Sequence, residues 1–133
     1  MDLNKAILIG NLGKDPVVSR TPSGAEVAHF SLATNYVWRD YKTKEKKEAV
    51  EFHAIVAWGA TAKTVSQYLK KGDKVYIEGR LQTKKWTDKT GLVHYQTEVV
   101  VSNLIMLSGP AKGKKDEEVT AEDISVEEVS IEE

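Results

Sequence analysis

The chain reads as an all-β protein, a five-stranded Greek-key barrel with one helix between its third and fourth strands. Three observations predict this. Apolar residues alternate with polar ones over long stretches, clearest in Glu26–Trp38. Only one segment, residues 59–72, switches to helical spacing. The order of three strands, a helix and two strands is that of a small closed barrel, whose coiling explains strands that are long for so short a chain.

The elements follow in order. Asn4–Leu12 carries the continuous apolar run Ile7-Leu8-Ile9, which suits a strand covered on both faces. Gly10-Asn11-Leu12-Gly13 breaks it, and Asp15-Pro16 marks a turn. Val17–Arg20 resumes extended structure up to the turn Thr21-Pro22-Ser23-Gly24. In Glu26–Trp38, Val27, His29, Ser31 and Ala33 share one face, and Ala28, Phe30, Leu32 and Thr34 the other. Arg39 to Lys47 is polar, with Lys42, Lys44, Lys46 and Lys47, and reads as a long exposed hairpin loop. Val50–Trp58 is the third long strand. Gly59 to Gly72 is the helix, with Ala62, Val65, Tyr68 and Leu69 as its apolar stripe, Lys70-Lys71 in its last turn and Gly72 as its stop. Lys74–Thr83 is the fourth strand. Trp86–Val93 holds the hairpin tip Asp88-Lys89-Thr90-Gly91, and His94–Leu107 is the fifth strand.

Charge divides the chain in two. Residues 1–115 hold all 19 basic residues against 11 acidic ones, a net +8, whereas residues 116–133 hold nine acidic residues and no base. The overall net charge of −1 therefore conceals a basic body and an acidic end. The boundary falls near Ser108-Gly109-Pro110, so residues 1–108 are expected to form the folded domain and 109–133 a flexible linker and acidic tail. No apolar run is long enough for a membrane span, and the N-terminus lacks the layout of a signal peptide. Without cysteine there is no disulfide, thiolate metal site or thiol nucleophile, which fits a reducing cytoplasm. His29, His53 and His94 fall on different strands, so neither a metal nor any other cofactor is expected.

Trp38, Trp58 and Trp86 lie in three separate strand-like segments, each near positive charge. Tryptophan ordinarily packs in cores. Three such rings at strand ends or loop bases, with lysines around them, suit the stacking of unpaired bases while the lysines hold phosphates. Gly10-Asn11-Leu12-Gly13-Lys14 is a strand-ending turn and not a phosphate loop, since the spacing is wrong and no Ser or Thr follows the lysine. The acids of the body, such as Asp15, Asp40, Asp73 and Asp88, sit mostly in turns, their structural default, so no catalysis is expected.

Several motifs carry a resemblance. Asn11-Leu12-Gly13-Lys14-Asp15-Pro16, Phe30-Ser31-Leu32-Ala33-Thr34, Glu51-Phe52-His53, Tyr68-Leu69-Lys70-Lys71-Gly72, Val75-Tyr76-Ile77-Glu78-Gly79 and Lys85-Trp86-Thr87-Asp88 resemble the bacterial-type single-stranded DNA-binding proteins, in order over about residues 3–107. That resemblance implies an OB-fold, whose oligonucleotide face comprises the second and third strands and the loops joining strands 1–2 and 4–5. It implies sequence-nonspecific single-stranded DNA binding during replication, recombination and repair, commonly as a homotetramer. By position it implies stacking by Trp38, Phe52, Trp58 and Trp86, with phosphate contacts from Lys71, Lys84 and Lys85; the lysines of the 42–47 loop, Lys42 first, add mobile contacts of their own. It places His53 and Tyr76 at a subunit interface, and makes the acidic tail, with Asp116, Glu117, Glu118, Glu132 and Glu133, a site for replication and repair partners. A cytoplasmic, nucleoid-associated location goes with it.

The chain departs from the family pattern at Ala54 and Ala60, where the family often has Arg and Lys, and at its end. The family's tail finishes Ile-Pro-Phe; this one finishes Ser130-Ile131-Glu132-Glu133. Two other readings compete: a protein-interaction OB subunit of a primosome-type complex, whose aromatics would serve an interface, and a small nuclease, which would need clustered carboxylates or a His–base pair.

Overall fold

The alternating segments close into a single sheet in the computed structural model, which describes residues 1–107. The strands are β1 (Ala6–Leu12), β2 (Val17–Arg20), β3 (Glu26–Arg39), β4 (Lys46–Trp58), β5 (Lys74–Thr87) and β6 (Val93–Met106), with α1 (Gly59–Tyr68) between β4 and β5. The sheet order is β1-β5-β6-β4-β3-β2, and β1 also pairs with β3, which joins the ends of the ring. Five strands thus form a closed barrel of the expected class, with β2 paired along β3 from Val17↔His29 to Arg20↔Glu26. All pairs are antiparallel except β4 with β6, where Ala54 meets Glu98 and Ile55 meets Val99.

Closure brings backbones together where a side chain would not fit. A Cβ on Gly10 would lie 2.3 Å from the carbonyl oxygen of Ala33, at the point where β1 turns from β5 to β3. Likewise, a Cβ on Gly79 would lie 2.2 Å from the carbonyl oxygen of Val100, beside the bulge in the β5–β6 ladder. Inside, Leu12, Ala28, Phe30, Leu32, Ile55, Ala57, Val75, Ile77 and Val99 fill the barrel, and Ala62, Val65 and Leu69 plug one end.

Four local expectations are corrected. The helix stops at Tyr68 and not at Gly72. Leu69 turns extended and buries its side chain in the core, while its N–H still bonds the Val65 carbonyl at 3.0 Å. Lys70 and Lys71 consequently lie beyond the last helical turn, where their N–H groups donate to the carboxylates of Asp73 and Asp15. The first hairpin loop is shorter than expected, because Lys46 and Lys47 already belong to β4. Its tip is held by Asp40, whose carboxylate accepts the N–H groups of Thr43 and Lys42, and these bonds, Thr43 first, lower its pKa. Trp86 lies within β5 and not in the loop. Lastly, β1 is covered on one face only: Ile7 is 55% and Ile9 52% exposed, although the core packs against Leu8.

Candidate nucleic-acid interface

Strand register sorts the candidate side chains by face. Residues directly opposite in a ladder share a face of the sheet. Leu32, fully buried, faces His53, and Phe30 faces Ile55, which defines the inner pleat. On the outer pleat of the same ladder, Ala33 meets Phe52, Ser31 meets Ala54, and Val27 meets Trp58. Ala54 continues the row to Glu98 of β6. Glu98 in turn meets Gln82, with Gln96 opposite Lys84 and His94 opposite Trp86. Phe52, Trp58, Lys84 and Trp86 therefore share the outer face of β3, β4, β6 and β5. Trp38 and Lys85 fall on the inner pleat, on parts of the strands that run beyond the packed core as two hairpin arms.

The rings are open to solvent. Trp38, Trp58 and Trp86 are 40%, 46% and 45% exposed, and Phe52 is 65% exposed. Two indoles are already backed by another ring. Tyr36 stacks on Trp38 with centroids 5.6 Å apart, and His94 stacks on Trp86 at 5.3 Å. His94 is fixed in turn by Asp88, its Nε2 lying 2.6 Å from Oδ2. Asp88 also accepts the hydroxyl of Thr90 and the N–H groups of Thr90 and Leu92. The Thr90 hydroxyl first, and then His94, hold the Asp88 pKa down at about 2. One face of each of these indoles is thus covered by a neighbouring ring, and each indole still keeps two-fifths or more of its surface in solvent.

The lysines differ in what they touch. Lys42 is exposed at the β3–β4 tip. Lys71 is exposed in the turn after the helix. Lys85 holds its Nζ 6.0 Å from the centroid of the Tyr95 ring, a cation–π arrangement on the β5–β6 arm. Lys84 reaches across the outer face, with Nζ 3.5 Å from Oε1 of the buried Glu98. Near the first tip, Lys44 lies 5.9 Å from the Tyr41 ring.

The two candidate interface residues are not brought together within one chain. His53, on the inner pleat of β4, is half-buried, its Nε2 2.9 Å from the Thr34 hydroxyl. Tyr76 lies on β5, with Ile9 of β1 and Ile105 of β6 opposite it. Its hydroxyl donates to Glu78 at 2.6 Å, and that bond first, then desolvation and the carboxylate's charge, holds the proton on the phenol and raises its pKa. Asp116, Glu117, Glu118, Glu132 and Glu133 lie outside the described residues. Among the described residues, no group of three or more His, Asp or Glu could hold a metal ion, and no helix is long and apolar enough to cross a membrane.

Sequence reasoning passed over Tyr36, Tyr95 and Glu98, and weighed His94 only as a metal ligand. The first was visible as an aromatic two positions before Trp38, hence on its face. Tyr95 and His94 become partners only once the hairpin register is known. Glu98 carried the clearest signal, a lone acid running into Val99-Val100-Val101.

The model of the single-strand binding protein family matches residues 3–107 of the chain. Among solved structures, the chain is similar to a Plasmodium falciparum protein described as an SSB complex with ssDNA. The two are 38% identical with a TM-score of 0.74, over 80% of this chain and 97% of the other.

Proposed function

This chain belongs to the single-strand binding protein family, and from that premise we propose how it grips single-stranded DNA. Exposed bases stack on Phe52, Trp58 and Trp86 along the outer face, and on Trp38 at the first arm. Lys42, Lys71, Lys84 and Lys85 neutralise phosphates and release counterions without reading sequence. The observation that carries this reading is the exposure of all four rings on a barrel that has an ample core without them. Stacking contributes about 1–3 kcal/mol per base, the range characteristic of single-strand binders as a class. No step of this reading is catalytic. Bound strand is shielded from nucleases and from re-pairing during replication, recombination and repair.

The functional unit is a homotetramer. Support comes from the outer face of β1, β5 and β6, where Ile7, Ile9 and Ile105 lie open on the single chain around the half-buried Tyr76 and form an apolar surface suited to burial against another copy. His53 and Tyr76 then serve subunit contacts. Linking four folds raises the effective concentration of each binding face for the same strand. Residues 1–108 form the binding domain, and the acidic segment after them competes with DNA for the basic face and tethers replication and repair proteins. A cytoplasmic, nucleoid-associated place in the cell follows from the ligand.

Titration with poly-dT at low salt tests the stacking model through tryptophan fluorescence. Strong quenching is expected, and unchanged emission would reject it. The reading as a protein-interaction subunit predicts instead that removing Trp38 and Trp86 costs assembly more than DNA affinity.

A further inference from the structure

We propose that the free edge of β2 accepts residues 119–133 of this same chain, one short strand at a time, by backbone pairing. This rests on the competition between the acidic segment and DNA put forward above, and adds where that segment docks. Residues 119–133 lie outside the described residues, but their sequence is three copies of one five-residue unit: Val119-Thr120-Ala121-Glu122-Asp123, Ile124-Ser125-Val126-Glu127-Glu128 and Val129-Ser130-Ile131-Glu132-Glu133. Each unit runs β-branched, hydroxyl, apolar, acid, acid.

A period of five suits neither a helix nor one long strand. In a helix each unit turns the apolar pair by about 140° from the last, so no stripe builds up. In an extended chain the first and third residues of a unit share a face, but an odd period turns every second unit over. One unit lies correctly on a given edge while its neighbours do not. The units are therefore short interchangeable strands, and β2 is itself only four residues long.

Among the described strands, β2 is the edge that fits. It ends the sheet order, pairs only with β3, and exposes all four of its residues, Val17 at 66% and Val18 at 38%. The other open edges lie on β1, beside the aliphatic face assigned to assembly, and on the two arms, assigned to DNA. An unpaired edge offers backbone donors and acceptors to an extended segment, and alternate side chains set the register. Val17 and Val18, one on each pleat, meet the apolar residues of a unit. Cations stand at both ends for its acids. Lys14 is exposed before β2, and the Lys71 N–H donates to the Asp15 carboxylate at 2.7 Å, which holds the Lys70-Lys71 turn against the same approach. Arg20 closes the other end; its side chain is 68% exposed although it also pairs with Glu26 at 3.7 Å. The edge is within reach. The Leu107 N–H donates to the Lys74 carbonyl at 2.9 Å, and Lys74 lies opposite Asn11, six residues before Val17. The described chain thus ends near the start of β2, and residues 108–118 can stretch to about 40 Å. Lys71 is also a proposed phosphate contact, so a docked unit and a bound strand draw on one lysine.

The test is amide exchange with solvent across β2, read by NMR on the full chain and on a variant carrying Thr120→Pro, Ala121→Pro, Ser125→Pro, Val126→Pro, Ser130→Pro and Ile131→Pro. Each unit then loses two adjacent N–H groups, which point to opposite sides of a strand, so pairing fails in either orientation while every acid remains. The N–H groups of Val17–Arg20 that point away from β3 are expected to exchange about tenfold more slowly in wild type than in the variant. Equal exchange overturns the docking. Protection that rises with protein concentration also overturns it, because the edge then belongs to a segment of another molecule. A saturating dT oligomer should bring wild-type exchange to the variant's rate. Protection that persists while tryptophan quenching shows the strand bound overturns the sharing of Lys71. Absence of quenching defeats the single-strand reading instead, and the exchange comparison without DNA still decides the docking.

Discussion

Two parts of this barrel show apolar groups to solvent, and they do so differently. On the outer face of β1, β5 and β6 the groups are the aliphatic side chains Ile7, Ile9 and Ile105 around Tyr76, and the neighbouring charges are tied to each other, as in the Lys5–Glu78 pair at 3.9 Å. Across β3, β4 and the two arms the groups are flat rings, and lysines stand among them. Aliphatic surface gains by excluding water against another protein surface. A ring beside a cation suits a ligand that is itself flat and anionic. Exposure alone therefore does not identify a binding surface; the shape of the exposed group and the sign of the charge that stands beside it do.

The sharpest way to break that contrast is a charge on the aliphatic side. Ile9→Asp is expected to dissociate the assembly, seen by light scattering, and to lower affinity for a long dT oligomer by about a hundredfold or more through lost multivalency. Retention of the assembly would remove the assigned role of that face. On the ring side, Phe52→Ala and Trp86→Ala should each cost about 1–3 kcal/mol of DNA binding while light scattering stays unchanged. A smaller effect is expected from Lys85→Ala. The slope of log affinity against log salt should become shallower by about 0.7 for one lost phosphate contact on a single strand, with fluorescence titrations at several salt concentrations as the measure. An unaltered slope would move Lys85 from phosphate contact to mere support of Tyr95.

The smallest effect concerns the β5–β6 turn that presents Trp86. The Asp88 carboxylate is held at about 2, below its ordinary 3.8, chiefly by the Thr90 hydroxyl and then by His94. A group with a lowered folded-state pKa stabilises above its ordinary value and loses that contribution as pH falls through the lowered one. The turn should keep its order down to about pH 4 and loosen between there and about pH 2. The amide resonances of Thr90 and Leu92 report this directly, and a transition centred above pH 5 would contradict it.

How far the sequence was legible depends on whether a strand has two different faces. Glu26–Trp38 alternates because Phe30 and Leu32 meet the core, and its barrel role could be read at once. The arms could not be read so well. Lys46, Lys47 and Trp86 lie on strand beyond the core, where both faces meet solvent and no alternation is imposed, so they looked like loop. Ile7-Leu8-Ile9 looked like a strand buried on both sides, yet one side is open on the single chain. Leu69 fitted the helical stripe as well as the core position it takes after the helix ends, and nothing local separated the two. For the site, the rings and lysines were visible as residue types. Their division between two pleats, and the burial of Glu98 beneath Lys84, depend on inter-strand register, which no single segment encodes.

The backing of Trp38 by Tyr36 and of Trp86 by His94 has a kinetic consequence. A platform closed from behind admits one nucleotide from the front and cannot be threaded between two. Under the proposed stacking, each such contact can then be undone alone, without prising apart its neighbours, and a strand held this way is released one base at a time.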